Sequence, residues 1–218
     1  MPPLPPLPVV LRAAAHPGAP ALALRPWRPA DAPALVAALR DPVLRRWTSH
    51  RVDDEADGAR WIAAQQEGWT SGTRFCFAVM EEHAGPEDGE NTDDDRPGGL
   101  LVGQAVLKTA GPGAPTAEVG YWTAAPARGR GVAPRALRAL TDWACATFAP
   151  AGLSRLELLH QADNDASCRV AEKTGYVLEG VLPPAPPAFP REGHRHVRIV
   201  TAASRLVTPE DSASRPVV

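Results

Sequence analysis

The residues best suited to chemistry form a loop of small and basic side chains just before a predicted helix, Arg128-Gly129-Arg130-Gly131-Val132-Ala133. Glycines let backbone N–H groups approach a ligand closely, and the first N–H groups of a helix have no partner within the helix. The helix dipole adds about half a positive charge at the same end. The loop therefore predicts a binding site for an anion such as a pyrophosphate, although its spacing matches neither a Walker loop nor a dinucleotide fingerprint.

Several segments in sequence order resemble the GNAT superfamily of N-acyltransferases. Arg128-x-x-Gly131-x-Ala133 matches its acyl-CoA loop, (Gln/Arg)-x-x-Gly-x-(Gly/Ala). The segment Asn164–Tyr176 resembles its Asn-x-x-Ser...Glu-Lys-x-Gly-(Phe/Tyr) motif, and Leu24–Ala32 resembles its first strand and helix opening. The strand Glu118–Trp122, with Leu178-Glu179-Gly180, points to the branch of ribosomal-protein N-terminal acetyltransferases, the Rim type. The resemblance covers about residues 21–207.

The resemblance implies that acetyl-CoA is the co-substrate and that the loop holds it. Backbone N–H groups of Gly129, Arg130, Gly131, Val132 and Ala133 would bind the pyrophosphate, and the side chains of Arg128 and Arg130 would add charge. The strand end at Trp122 and Thr123 would face the pantetheine arm. An alternative for Trp122 is a plain core position.

Asn164 and Ser167 are further candidates from the same motif. The resemblance implies that Asn164 contacts the pantetheine arm, although the residue type also suits a helix cap. Ser167 stands where the Rim type is proposed to protonate the leaving thiolate. Many relatives use a tyrosine further along this helix, but that position is Ala171 here, so Ser167 or water must serve. A serine without a role on the helix surface is the alternative.

A base is needed because a primary amine is mostly protonated at pH 7. Glu118 and Glu157 are the candidate catalytic carboxylates, each on a predicted central strand among apolar neighbours, where desolvation would favour proton uptake. Glu118 is preferred because it lies within the strand motif, and a structural ion pair is the alternative for both. The carboxylate that the Rim type carries after Leu-Glu-Gly is missing, because residues 182–189 contain no acid.

Two histidines, His194 and His196, flank Arg195 at the start of the last predicted strand, and alternation places them on one face. They are expected to be loop or edge residues; the alternatives are a place near the amine site, a role as a base, or metal binding by the pair. The three cysteines are scattered and show no zinc-ligand spacing, so no metal is expected.

Hydrophobic periodicity predicts the elements that must position these residues. The predicted strands are Leu22–Trp27, Arg74–Met80, Leu100–Thr109, Ala117–Thr123, Leu153–His160, Tyr176–Leu182 and His196–Leu206. The predicted helices are Ala32–Leu39 with Asp31 as its cap, Pro42–Trp47, a longer one from Asp53 or Asp54 to Trp69, Gly131–Phe148 and Ala166–Thr174. The resemblance implies a GNAT-type α/β fold: a mixed, mostly antiparallel sheet of about six or seven strands, flanked by helices, with splayed central strands.

Composition and charge narrow the class of protein. The chain has 218 residues and a formal net charge of −2, enough for one domain, and no apolar run long enough to span a bilayer. Residues 81–98 carry a net charge of −7, which leaves a mildly basic remainder suited to a polyanionic co-substrate. No dense basic stripe suggests nucleic-acid binding. We expect a cytoplasmic protein, monomeric or homodimeric, that does not bind membranes.

We expect one N-acetyltransferase domain over residues 21–207, with the acidic segment 81–98 inserted as a loop between paired strands. The Pro- and Ala-rich residues 1–20 are expected to be disordered and residues 208–218 to be a flexible tail. The predicted function is transfer of an acetyl group to a primary amine, of a protein N-terminus or a small molecule, by direct attack in a ternary complex. The alternative is an inactive acyl-CoA sensor or interaction module.

Overall fold

A single eight-stranded sheet with five α-helices forms the protein, seen in a computed structural model that describes residues 9–48, 51–82, 99–186 and 190–201. The strands are β1 Leu11–Ala13, β2 Leu22–Pro26, β3 Arg74–Glu81, β4 Leu100–Thr109, β5 Thr116–Thr123, β6 Arg155–Gln161, β7 Val177–Leu182 and β8 Gly193–Ile199. The helices are α1 Ala32–Leu39, α2 Pro42–Trp47, α3 Glu55–Ser71, α4 Val132–Phe148 and α5 Asp165–Lys173. Within these ranges, no helix is long and apolar enough to cross a membrane.

The sheet order is β1-β2-β3-β4-β5-β6-β8-β7, and all neighbouring strands are antiparallel except β5 and β6. This parallel pair is joined by α4, as a parallel connection requires a long crossover. Their pairing begins at Thr116↔Arg155 and ends at Val119↔Leu158. Beyond these residues β5 continues on β4 and β6 continues on β8, so the two strands diverge. The mixed, mostly antiparallel sheet with splayed central strands is confirmed.

Helices cover both faces of the sheet and enclose two apolar cores. On one face α4 contributes Leu137 and Leu140, which pack with Val119 and Leu156 of the central strands. On the other face α1 and α3 pack on a cluster that includes Trp27 and Trp122. Because side chains alternate along a strand, odd-numbered residues of β5 face α4 and even-numbered residues face the α1 side.

The N-terminal segment corrects one prediction, since β1 makes an eighth strand inside residues 1–20. Leu11–Ala13 pairs with β2, and the guanidinium of Arg135 on α4 donates to the carbonyls of Ala13, Ala14 and Pro20. The composition suggested disorder, but hydrogen bonds from a buried arginine more than a hundred residues away hold the segment in place. Residues 1–8 lie outside the described ranges.

Most predicted elements appear within a few residues of their expected bounds. The hairpin of β3 and β4 is confirmed, and Asp54 caps α3 by accepting from the N–H of Asp57. The last strand begins three residues earlier than predicted, because Gly193–Arg195 continue the ladder with β6. Residues 83–98 of the acidic segment, residues 202–206 of the predicted last strand, and the tail at 208–218 all lie outside the described residues.

Asp31 precedes α1 as predicted, but its carboxylate does not cap that helix. It accepts two hydrogen bonds of 2.7 Å from the guanidinium of Arg25 and one of 2.8 Å from the N–H of Arg28. Both charged side chains are buried, at 9% and 5% exposure. The pair fixes the turn between β2 and α1 at the edge of the Trp27 core.

We predict that Asp31→Ala destabilises the protein by about 3–5 kcal/mol, because it leaves the Arg25 guanidinium buried without a counter-charge. Urea unfolding followed by tryptophan fluorescence measures the effect. The double variant Arg25→Met/Asp31→Leu is the control and should recover most of the loss, since it removes both charges. A loss below 1 kcal/mol in the single variant would contradict this role.

Candidate active site

The divergence of β5 and β6 exposes backbone groups to the space between them. Ala124 N–H donates to Val102 on β4, so in an antiparallel ladder the polar groups of Trp122 also face β4. Those of Tyr121 and Thr123 therefore point into the gap. Ala162 N–H donates to Glu192, so by the same alternation the polar groups of Leu159 and the N–H of Gln161 point into the gap from β6. The Gln161 carbonyl instead accepts from the N–H of Asn164. An extended ligand with amide groups can pair with both walls.

The predicted anion loop leads directly from this gap into α4. Gly129 and Gly131 both have φ of +74°, a left-handed conformation that favours glycine, and Gly131 is the N-cap of α4. A Cβ at either position would meet no atom within 4 Å, so the loop surface there is open. Pro134 has no N–H, which leaves Val132 and Ala133 as the donors at the start of the helix. The backbone is arranged to bind an anion.

The two arginines of the loop are held by carboxylates on neighbouring elements. Arg128 pairs with Asp41, the N-cap residue of α2. Arg130 makes a bidentate pair with Glu81 at the end of β3, with both distances 2.6 Å. Arg128 lines the cleft described next, whereas Arg130 does not.

A cleft of about 380 Å³ joins the gap and the loop. Of the predicted residues it is lined by Trp122, Thr123, Arg128, Gly129, Gly131, Val132, Ala133, Asn164 and Ser167. It is also lined by Arg169 and Lys173, which the sequence analysis missed. They stand four residues apart on one face of α5, a spacing that could have signalled a shared ligand. With Arg128 they give the cleft three cationic side chains.

Ser167 and Asn164 are brought together at the start of α5. The Asn164 side chain accepts from the N–H of Ser167 at 3.3 Å, so it is a helix cap and also a cleft residue. The hydroxyl of Tyr121 donates to the Ser167 hydroxyl at 3.1 Å. Burial raises the pKa of Tyr121 to about 12, so this phenol is protonated at neutral pH. Tyr121 was not predicted as a partner of Ser167, because the contact spans 46 residues of sequence.

Trp122 belongs both to an apolar core and to the wall of the cleft. Its ring is buried in the α1-side core, and its indole N–H donates to Gln104 at 3.0 Å. It also forms part of the cleft wall.

Glu118 and Glu157 do not line the cleft, and the expectation of apolar surroundings is wrong for both. They are neighbours across the paired part of β5 and β6, on the face opposite α4. Glu118 pairs with Lys108 at 2.5 Å, and Glu157 pairs with Arg155 at 2.7 Å. Gly120, the next residue on this face of β5, begins the gap about 7 Å further along.

His194 and His196 share a face of β8 as predicted, but they are not loop residues. They lie with His160 of β6 beneath α5, close to Cys168. Burial lowers the pKa of His160 and His196, so both rings are neutral at pH 7. None of the three histidines lines the cleft.

These features define a protein in which two parallel strands diverge beside a helix N-terminus, with an open cleft that joins the two. The acetyltransferase (GNAT) domain matches residues 21–177, and the chain belongs to this family.

Relatives agree with this assignment. The chain is 35% identical over 83 residues to the ribosomal-protein-serine acetyltransferase of Escherichia coli (strain K12), a match that spans 38% of this chain and 44% of that relative's length. The fold is similar to that of Mycobacterium smegmatis RimJ in complex with CoA disulfide, with a TM-score of 0.70, 21% identity and coverage of 92% of this chain and 89% of the other. It is also similar to the microcin C7 self-immunity acetyltransferase MccE in complex with acetyl-CoA and AMP, with a TM-score of 0.67, 16% identity and coverage of 82% and 92%.

We predict that Gly131→Trp weakens CoA binding by roughly 100-fold (about 2.7 kcal/mol), because the indole would cover the backbone N–H groups of the loop. Calorimetric titration with CoA measures the change. Gly18→Trp is the matched control, since Gly18 has a similar φ of +80° and the same open surroundings. Unchanged CoA binding in a folded Gly131→Trp protein would contradict the loop assignment.

Proposed function

We propose that this protein transfers the acetyl group of acetyl-CoA to a primary amine by direct attack in a ternary complex. The observation that carries the proposal is the continuous path from the divergence of β5 and β6, past Ser167, to the open N-terminus of α4. It provides a wall of free amides for the pantetheine arm and a cationic end for the phosphates. No single part is specific, but a thioester cofactor uses all of them together.

In this proposal the pyrophosphate lies on the N–H groups of the loop from Gly129 to Ala133. Arg128, Arg169 and Lys173 neutralise the phosphates, with Arg128 released from Asp41 or bridging between Asp41 and the ligand. The pantetheine amides pair with Tyr121 and Thr123 on one wall, and Asn164 contacts the arm from α5. The thioester carbonyl then points at a backbone N–H in the gap, which stabilises the oxyanion of the transition state.

The amine attacks the thioester carbon from the face that carries Gly120, where a missing side chain leaves room. The C–N bond forms, the C–S bond breaks, and the departing thiolate takes a proton from the hydroxyl of Ser167. Because Tyr121 donates to the Ser167 oxygen, the hydroxyl hydrogen of Ser167 is free to point elsewhere. The phenol replaces the proton that Ser167 gives up, and a water in the open cleft returns a proton to Tyr121 before the next turnover.

The proton of the attacking amine passes through water to Glu118 or Glu157. These carboxylates lie on the side of the amine and are separated from Ser167 by the sheet, which keeps the base apart from the acid. Glu118 is paired with Lys108 and Glu157 with Arg155, so each carboxylate has a fixed position. Because both carboxylates lie outside the gap, the proton can reach them only through water.

The acceptor is a protein N-terminus or a small amine. The name of the Escherichia coli relative refers to a serine of a ribosomal protein, which supports a protein acceptor and a cytoplasmic location for this chain. An inactive acyl-CoA sensor is the alternative, favoured only by the ion-paired state of both candidate bases.

The test is calorimetric titration with acetyl-CoA and with CoA, followed by thiol release against peptides with free N-termini and against small amines. Binding with thiol release on one amine class supports the transferase and names its acceptor. Binding without release across the panel would contradict the transferase and favour the sensor. Absence of binding would overturn both.

We predict that Ser167→Ala lowers kcat about 100-fold while the KM for acetyl-CoA changes less than about threefold, since general acid catalysis acts in the transition state. Tyr121→Phe should lower kcat less, because Ser167 can still donate. Ser154→Ala is the control, as its hydroxyl donates to Pro115 away from the cleft. Equal kcat values for Ser167→Ala and Ser154→Ala would remove Ser167 as the acid.

We predict opposite signatures for the two partners of the Lys108–Glu118 pair in the pH profile of kcat/KM. Glu118→Gln should abolish the acidic limb, because no carboxylate remains to be protonated there. Lys108→Met should keep that limb, because the carboxylate of Glu118 is still present. Identical profiles for wild type and both variants would exclude Glu118 and direct attention to Glu157 or to solvent.

A further inference from the structure

A second constellation of reactive side chains lies beside the cleft, beneath α5. It comprises His160 from β6, Cys168 from α5, and His194 and His196 from β8. One potential ligand atom from each residue lies within 4.8 Å of the other three. The proposed acetyl transfer uses none of these four side chains.

The sheet and α5 bring the four residues together for simple geometric reasons. His160 is directly opposite His194 in the antiparallel ladder of β6 and β8, and His196 is two residues further along the same face. The helix lies over that face, anchored by a bond of 2.9 Å from the Arg198 guanidinium to the carbonyl of Thr174. Cys168 Sγ then lies 3.2 Å from His194 Nδ1 and 3.7 Å from His160 Nε2.

His196 is the strongest indication of a missing ligand. Its side chain is 1% exposed, and neither ring nitrogen makes a hydrogen bond with the described residues. The backbone of Tyr176 lies nearby, but without normal hydrogen-bond geometry. A buried polar group without a partner costs stability, and native structures rarely tolerate one without a function. A cation in the cluster would satisfy this ring.

His160 is oriented as metal-binding histidines usually are. Its Nδ1 lies 2.8 Å from the carbonyl of Gln161, which can only accept, so the neutral ring carries its proton on Nδ1. This leaves the lone pair of Nε2 directed toward Cys168. A carbonyl that fixes the tautomer of a ligating ring is the usual outer-shell arrangement.

The types of ligand atom and the distances between them indicate which metal the cluster would bind. A thiolate with imidazoles suits Zn²⁺ or Cu⁺ rather than Mg²⁺ or Ca²⁺, and four such ligands form a closed tetrahedral zinc site. With Zn–S of about 2.3 Å and Zn–N of about 2.0 Å, sulfur and nitrogen ligands lie about 3.5 Å apart. The two sulfur–nitrogen distances bracket this value.

We propose that His160, Cys168, His194 and His196 bind one zinc ion. Binding ionises the Cys168 thiol and releases its proton to solvent. The ion then links α5 to β6 and β8, and so holds the adjacent Ser167 at the cleft. None of the four ligands takes part in the proposed acetyl transfer, and the proposal departs from the expectation from spacing alone that no metal binds.

The test is titration of the untagged, chelator-treated full chain with Co²⁺ and then Zn²⁺. We expect one equivalent of Co²⁺ to give tetrahedral d–d bands with a thiolate charge-transfer band, and Zn²⁺ to abolish both. Cys168→Ala should remove the thiolate band and weaken Zn²⁺ binding by more than about 100-fold, since even outer-shell partners are worth about 10–100-fold. Cys145→Ala is the matched control, because Cys145 is a buried cysteine on α4 outside the cluster.

His194→Ala provides a second variant at a partly exposed position and should also lose tight binding. Zn²⁺ should in addition slow iodoacetamide modification of Cys168, measured by mass spectrometry of its peptide, in wild type but not in His194→Ala. Absence of a thiolate band in wild type would overturn the proposal. Equal Zn²⁺ affinity in wild type and Cys168→Ala would do the same, as would Cys168 alkylation that Zn²⁺ does not slow.

Discussion

The parallel contact between β5 and β6 is the constraint on which the rest of the structure depends. It lasts for only four residue pairs, from Thr116↔Arg155 to Val119↔Leu158, before each strand follows its other neighbour. The parallel connection requires a crossover, and that crossover is α4, whose N-terminus must start near the end of β5. One topological feature therefore produces both the gap with free backbone groups and the helix end with free N–H groups.

The same divergence separates the chemistry on the two faces of the sheet. On the α4 side, the phenol of Tyr121 reaches Ser167 on α5, while the opposite side carries Glu118 and Glu157. In the proposed reaction the acid and the base therefore lie on opposite faces of the sheet, with the thioester in the gap between them. The histidine and cysteine cluster lies under the same helix as Ser167, so the proposed zinc ion would stabilise the acid rather than take part in the reaction.

Local patterns predicted much of this arrangement. The loop Arg128–Ala133 could be recognised because glycine, charge and a following helix are adjacent in sequence, and the strands of the hairpin at Arg74 and Leu100 have clear alternation. What escaped prediction depends on contacts between distant residues. Arg135 hydrogen-bonds the segment beside β1, Lys108 pairs with Glu118, and Cys168 lies close to histidines on two strands. The spacing of these residues in the sequence gives no sign of the contacts. A proline-rich composition was likewise misleading, because an anchor outside the segment decides whether β1 forms.

Residue-resolved amide hydrogen exchange of the full chain, with and without acetyl-CoA, tests whether the gap and the loop together bind the cofactor. We expect the cofactor to slow exchange at Tyr121 and Thr123, whose N–H groups face the gap, and at Gly129–Ala133 in the loop. Trp122, whose N–H is already bonded to β4, should change little and serves as an internal control. Protection confined to other parts of the chain, with the gap and the loop unaffected, would show that acetyl-CoA does not bind there.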